Sequence, residues 1–324
     1  MDPGDELADG RRLRDRMASR RPSGPFDQLA EYFTGHPRAL LSLQIVPPLV
    51  FVFSFVFIPL ASIFAWSFWS VENNRLVPGF STSAYQQFLG IHNPTWRLDI
   101  FVRTLRIAVT QTAIAVVLGF AIAYFIGIKM RGSKYVLPLL LLFAVPFLTS
   151  YLLRTMSWYM VLQTHGLINT VLEAIGVIKD PIPGLLFSEF AVHVGLLSTY
   201  LPFMIFPIWL AMSRIDQTVL AASADLGGRP RDTLFRVVVP LTLPGILIGS
   251  IFVFVGVLGD SVVPEILGGA TDSSRTLIAN LIDKSIGGQQ YPLAAAIASV
   301  ILVLAIGLIV GWEKAFGLRK IGEI

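Results

Sequence analysis

The chain of 324 residues is 54% hydrophobic and only 14% charged, with a mean hydropathy of +0.69. Soluble domains carry about 25% charged residues, so these figures exclude a water-soluble fold and imply an integral membrane protein. The absence of Cys excludes a disulfide framework and any thiolate metal or redox site.

In chain order, residues 1–39 are polar, acidic at Asp2, Asp5, Glu6 and Asp9, then basic from Arg11 to Arg21. They lack the short apolar region and small-residue cleavage site of a signal peptide. They read as a disordered cytoplasmic tail, suited to solvent or to anionic lipid. A first span is predicted at Leu40–Phe68, long enough to cross a bilayer despite Pro47, Pro48 and Pro59. A polar loop at Glu72–Asp99 leads to span two, Phe101–Ile128, and a tight basic turn with Lys129, Arg131 and Lys134. Span three is predicted at Tyr135–Leu153, with Arg154 just beyond it, and a short helix at Ile168–Ile178 lies in the loop after it. Span four is Phe190–Met212, span five Leu241–Leu267 and span six Leu293–Phe316, followed by a short basic tail at 319–324. The fold class is therefore all-α, polytopic, with about six transmembrane helices in a domain over residues 40–318.

Between spans four and five lies a stretch with little hydrocarbon, DQTVLAASADLGGRPRDTLFRVVVPLTLP, from Asp216 to Pro244. Asp216 suits a helix N-cap, and Val219, Leu220, Ser223 and Leu226 recur along one face. Gly227 can take the left-handed conformation that ends a helix, and Pro230 suits the first turn of a second one. A bent helical knob is expected on one side of the membrane. Of the 25 Lys and Arg, 17 fall in the two tails, the turn after span two and the knob, against six in the other three loops. The positive-inside rule puts the knob and both ends in the cytoplasm. It also accounts for the net charge of +4 without nucleic acid.

Little in the sequence carries chemistry. It has no GxxxxGK[ST] loop to cradle phosphates, its four His lack ligand spacing, and no nucleophile, base and acid stand out. The chain reads as no enzyme by itself, with neither cofactor nor metal. Ionisable groups near or within spans face a cavity or a partner more often than lipid. Asp260 lies 19 residues beyond Leu241 and Arg154 19 beyond Tyr135, each about 29 Å along a straight helix. Arg103 and Arg106 begin span two at a comparable depth. Asp260, Arg154 and Arg106 are read as a polar lining at the outer mouth of a translocation path, with interfacial snorkelling the alternative for the arginines. An Asp260–Arg154 pair joining spans three and five is a further alternative. Tyr151, Trp158 and Tyr159 suit a cation path and equally an interfacial aromatic belt.

The knob resembles the cytoplasmic coupling loop (about 213–240 here) of binding-protein-dependent ABC importer permeases. That family's motif is Glu-Ala-Ala, three residues, Gly, nine residues, Ile-x-Leu-Pro. The matching positions read Ala221-Ala222-Ser223, Gly227 and Val237-Val238-Val239-Pro240. Ala221 stands where the family has its glutamate, and Asp225, one turn on along the same face, offers a carboxylate instead. The stretches Arg103–Thr112, Val145–Trp158 and Gly259–Gly269 are similar to the polyamine branch, the permeases of spermidine and putrescine importers. This resemblance implies alternating access in a bacterial inner membrane. It also implies an extracytoplasmic solute-binding protein, a second homologous permease chain and a pair of ATPase subunits that hold ATP and Mg. A permease for an amino-acid derivative or for iron, and an ion-driven secondary transporter, are the other readings.

Overall fold

A computed structural model describes residues 37–72, 75–91, 96–269 and 276–316. Both tails, with the arginine cluster, lie outside the described residues apart from 37–39. The chain divides into two compact units, Met1–Ser62 and Ile63–Ile324. In the first, α1 (Pro37–Val52) passes through a π-helical turn at Phe53–Phe57 into α2 (Ile58–Trp66), whose last four residues belong to the second unit. The prolines at 47, 48 and 59 each lack an N–H, and local π geometry is one way such a helix absorbs the disruption. Every described side chain from 44 to 62 is exposed or half-buried.

After the end of α2 the second unit has a small antiparallel hairpin, β1 (Ser70–Glu72) and β2 (Arg75–Val77), in the register Ser70 to Val77. Helix α3 (Ser83–Leu89) ends at Gly90 with φ of 72°. The predicted polar loop thus holds a hairpin and a helix. Helix α4 (Trp96–Tyr124) continues through a π-turn at Phe125–Lys129, and α5 (Val136–Leu148), α6 (Tyr151–Leu162) and α7 (Leu167–Ala174) follow. Then come α8 (Glu189–Ser213), α9 (Gln217–Asp225), α10 (Pro230–Thr233) and, after a π-turn at Leu234–Val238, α11 (Val239–Leu258). Helices α12 (Val262–Gly268), α13 (Ile278–Gly287) and α14 (Tyr291–Phe316) complete the order. Five helical runs are long and apolar enough to cross a membrane, and six if the bent pair around α5 and α6 counts as one span. The all-α reading holds, with one short hairpin added.

Helices α4, α8 and α11 pack against one another as the centre of this unit. Helix α4 offers a stripe of Ala108, Ala115, Gly119 and Ala123, all buried. Met204 and Ile208 of α8 are fully buried in the same core. Small residues let backbones approach closely, and that packing takes the place of the hydrophobic drive that lipid removes.

Two predicted spans are broken, and each break has a proline behind it. The helix expected from Tyr135 to Leu153 stops at Leu148, and its two parts bend by 96°. Pro146 weakens the ladder, Thr149 turns extended, and the Pro146 carbonyl is taken by Thr149 Oγ1 at 3.2 Å and Arg154 Nη1 at 3.1 Å. The helix expected from Leu241 to Leu267 stops at Leu258. Pro264 cannot donate to the carbonyl of Asp260 four residues back, so a new helix, α12, starts beyond the break. Asp260 therefore sits in a helix break and Arg154 beyond a bend, so straight-helix depths do not apply to either residue.

Candidate functional site

The break between α11 and α12 gathers polar groups from several elements. Asp260 is only 5% exposed. Its Oδ1 accepts the backbone N–H of Val263 at 3.0 Å, which caps the first turn of α12. Its Oδ2 accepts the hydroxyl of Tyr151 from the start of α6 at 2.5 Å, and lies 3.1 Å from the hydroxyl of Tyr200 on α8. The Tyr200 hydroxyl also donates to the Gly256 carbonyl at 2.9 Å, so one proton serves two acceptors. A Cβ on Gly256 would lie 2.3 Å from the Tyr200 ring, so glycine is what admits that ring to the α11 backbone. Asn280 Nδ2 on α13 donates to the Ser261 carbonyl at 2.6 Å and ties a further helix to the junction.

Three of the roughly four acceptor positions of the carboxylate are thus occupied, all by neutral donors. A buried carboxylate is favourable only when its lone pairs are satisfied. Among the described residues no cation lies within ion-pair distance of Asp260. Arg154, the partner expected from the sequence, donates to Pro146 instead, lies over the Tyr151 ring at 5.9 Å and keeps a buried Nε without a partner. The expected Asp260–Arg154 pair is therefore not formed, because Arg154 is spent on fixing the bend. What the arrangement offers is a buried carboxylate held by neutral donors and flanked by two tyrosines.

The other expected path residues are placed elsewhere. Trp158 and Tyr159 are half-buried against the main core, and Tyr159 meets Phe187 edge-on at 6.0 Å. Arg106 forms a solvent-exposed ion pair with Glu189 at 2.6 Å. Beyond it, His193 Nε2 lies 3.8 Å from Glu189, and His193 Nδ1 lies 2.8 Å from Oε1 of Gln111, which is fully buried with no partner for its Nε2. The sequence reading passed over this second polar chain and over Tyr200. The signal was present as Gln111, His193 and Tyr200 inside otherwise apolar spans.

The knob is built by its own backbone. Asp216 caps α9 by accepting the Thr218 N–H at 3.0 Å. Those hydrogen bonds hold its carboxyl below the usual range for aspartate. At the other end the Gly227 N–H bonds Ala224 O at 2.9 Å and the Gly228 N–H bonds Ser223 O at 3.0 Å, the paired bonds of a Schellman cap. Gly227 has φ of +77°, and a Cβ on Gly228 would lie 2.6 Å from the Ser223 carbonyl, so both glycines are required. Ser223 Oγ meets Thr233 Oγ1 at 2.9 Å and locks α9 to α10. The apolar face read along α9 is only partly covered: Leu220 is half-buried against the main core, no residue of the helix is fully buried, and Leu226 at its tip is 90% exposed. Ala221, Ala222 and Asp225 are exposed beside it, and Pro240 is exposed in the first turn of α11.

The stretch that holds the junction and the knob is matched by known proteins. The profile of the family described as "Binding-protein-dependent transport system inner membrane component" matches residues 115–314. This chain belongs to that family. It is a permease subunit of an ABC importer. It is 32% identical over 274 residues to the spermidine/putrescine transport system permease protein PotB of Escherichia coli, which covers 83% of this chain and 96% of PotB. It is 33% identical over 244 residues to the inner membrane ABC transporter permease protein YdcU of the same organism, 70% of this chain and 74% of that one. A chain in the crystal structure of a bacterial alginate ABC transporter, in complex with a periplasmic protein bound to alginate pentasaccharide, shares the fold. Its TM-score is 0.67 at 14% identity, over 88% of this chain and 97% of that one.

Proposed function

We propose that this permease carries a polyamine such as spermidine or putrescine, and that Asp260 receives an ammonium group of the solute as it passes. The observation that carries the reading is the buried carboxylate with neutral donors and no ion-pair partner. A cation leaving water requires such a counter-charge, and tyrosine rings suit cations as well. Likeness to PotB supports the same solute class. A backbone break at membrane depth is tolerated where it lines a cavity or is buried in protein, which fits a helix junction beside a path.

In this reading the knob faces the cytoplasm together with both chain ends. Ala221, Ala222, Ser223, Asp225, Gly227 and Pro240 form or shape the seat of one of two ATPase subunits. Those subunits, not this chain, hold ATP and Mg. A second homologous permease chain completes the path, and an extracytoplasmic binding protein delivers solute. Reconstitution of the full complex in vesicles tests the proposal. Labelled putrescine or spermidine is expected to enter only with ATP inside and the binding protein outside. Uptake of an amino-acid derivative or iron, with none of either polyamine, would overturn the solute assignment and leave the importer class standing.

A further inference from the structure

We infer that Arg131 is a strap that makes the turn between α4 and α5 move with the knob, so that the α5 side of the permease follows ATPase closure. The inference rests on the importer reading given above. The last carbonyls of a helix have no partner within it and carry partial negative charge. At the end of α8 two carbonyls of that region are met by one side chain: Arg131 Nη1 donates to Ile215 O at 2.5 Å and Nη2 to Ser213 O at 3.0 Å. Both contacts span more than 80 residues of sequence. Ile215 is itself 5% exposed and part of the main core, and Asp216, the N-cap of α9, comes next. A rigid planar fork on two carbonyls one residue apart, Ser213 and Ile215, fixes orientation as well as distance, which a lysine cannot reproduce.

This contact adds a third route out of the knob. Along the chain the knob is joined to α8 behind and to α11 ahead, through α10 and its π-turn. Arg131 joins it sideways to the turn that opens α5. From α5 the chain passes the 96° bend held by Arg154 and reaches Tyr151, whose hydroxyl bonds Asp260. A displacement at the knob thus reaches Asp260 from both sides: through α11, which ends at the break, and through α5 to Tyr151. Lys129 and Lys134 share the same turn, so the turn's positive charge survives loss of Arg131.

Arg131→Gln in the reconstituted complex is expected to lower solute imported per ATP hydrolysed about tenfold, the scale of one lost charge-assisted hydrogen bond. Arg131→Lys should fall between, and Lys134→Gln should match the unaltered chain. The natural chain has no Cys, so spin labels at Lys134→Cys and Gln217→Cys report the turn and the knob directly. Their separation should stay the same when ATP is added, and should broaden and shift with ATP once Arg131→Gln is introduced. An ATP-dependent shift in the otherwise unaltered chain, or no change on Arg131→Gln, overturns the strap. If the unaltered complex imports nothing with ATP, the importer reading fails instead, and the label distances still decide whether turn and knob move together.

Discussion

The knob and the Asp260 junction teach opposite lessons about how a membrane protein encodes a working part. The knob is made within 25 residues, by a cap at Asp216, two glycines and a proline, and it fully buries nothing in its own helix α9. Its shape rests mainly on local backbone chemistry, with Leu220 half-buried against the main core, and most of its surface is left for something else to cover. The junction takes Tyr151, Tyr200, Gly256, Asp260 and Asn280 from four separate stretches. It exists only when α6, α8, α11 and α13 are packed together. Changes at the knob should therefore alter coupling and spare the spans, while changes at the junction should alter the solute path and its neighbours.

The largest effect is expected at the junction. Asp260→Asn keeps the acceptor for the Val263 N–H and removes the charge. Breaking a buried charge interaction costs about 3–5 kcal/mol, so polyamine uptake should fall by at least about a hundredfold while insertion and ATPase attachment persist. Adding Arg154→Gln should restore nothing, because Arg154 serves Pro146 and not Asp260. Uptake within a few-fold of the unaltered chain would end the proposal that this carboxylate receives the solute.

At the knob, Gly227→Val and Gly228→Val test whether the two regions are separable. A β-branched residue at φ of +77° is strained by about 1–3 kcal/mol, and a Cβ at Gly228 meets backbone at 2.6 Å. Both variants should lose about tenfold in solute moved per ATP, with unchanged membrane insertion. A loss of thermal stability in the spans on either change would show that the knob is part of the core after all. Within the junction, Tyr200→Phe removes a hydroxyl proton shared between Gly256 O and Asp260. A net hydrogen bond is worth about 1 kcal/mol, so uptake should drop about fivefold, measured as initial rate at saturating binding protein. A fall as deep as that of Asp260→Asn would mean that the proton, not the charge, is what the solute needs.

How far the sequence could be read follows the same division. The number and order of the spans follow from hydropathy, and the knob follows from residues whose partners are three to six positions away. Gly227 and Pro230 announce their backbone roles by residue type alone. The two helix breaks were misread because a proline inside an apolar run signals either a kink or a stop. The choice was made by side chains, Arg154 on Pro146 and Asp260 on Val263. Tyr200 was overlooked because its role depends on Gly256, 56 residues away, offering no side chain. Pairings of that reach leave no periodic trace, and neither does the contact between Gln111 and His193, 82 residues apart.

The smallest effect concerns the cap of the knob and sharpens the claim that this region stands on local chemistry. Asp216 is fully exposed, and its carboxylate is favoured by the Thr218 N–H, so its pKa in the folded protein lies below the ordinary value of 3.8. A group with a lowered folded pKa adds stability above its unfolded value and loses it as pH falls through the folded one. Between pH 8 and 5 the contribution is constant, and it fades only below about pH 4. Asn caps a helix about as well as Asp but does not titrate. Hydrogen exchange over Gln217–Asp225 should thus show equal protection in the unaltered chain and in Asp216→Asn near neutral pH. The unaltered chain should lose protection relative to the variant as acid is added. The difference should be confined to α9, leaving α8 and α11 untouched. A loss that begins near pH 6, or that spreads into α11, would point to a titrating group outside the cap and to a knob that leans on the spans for its shape.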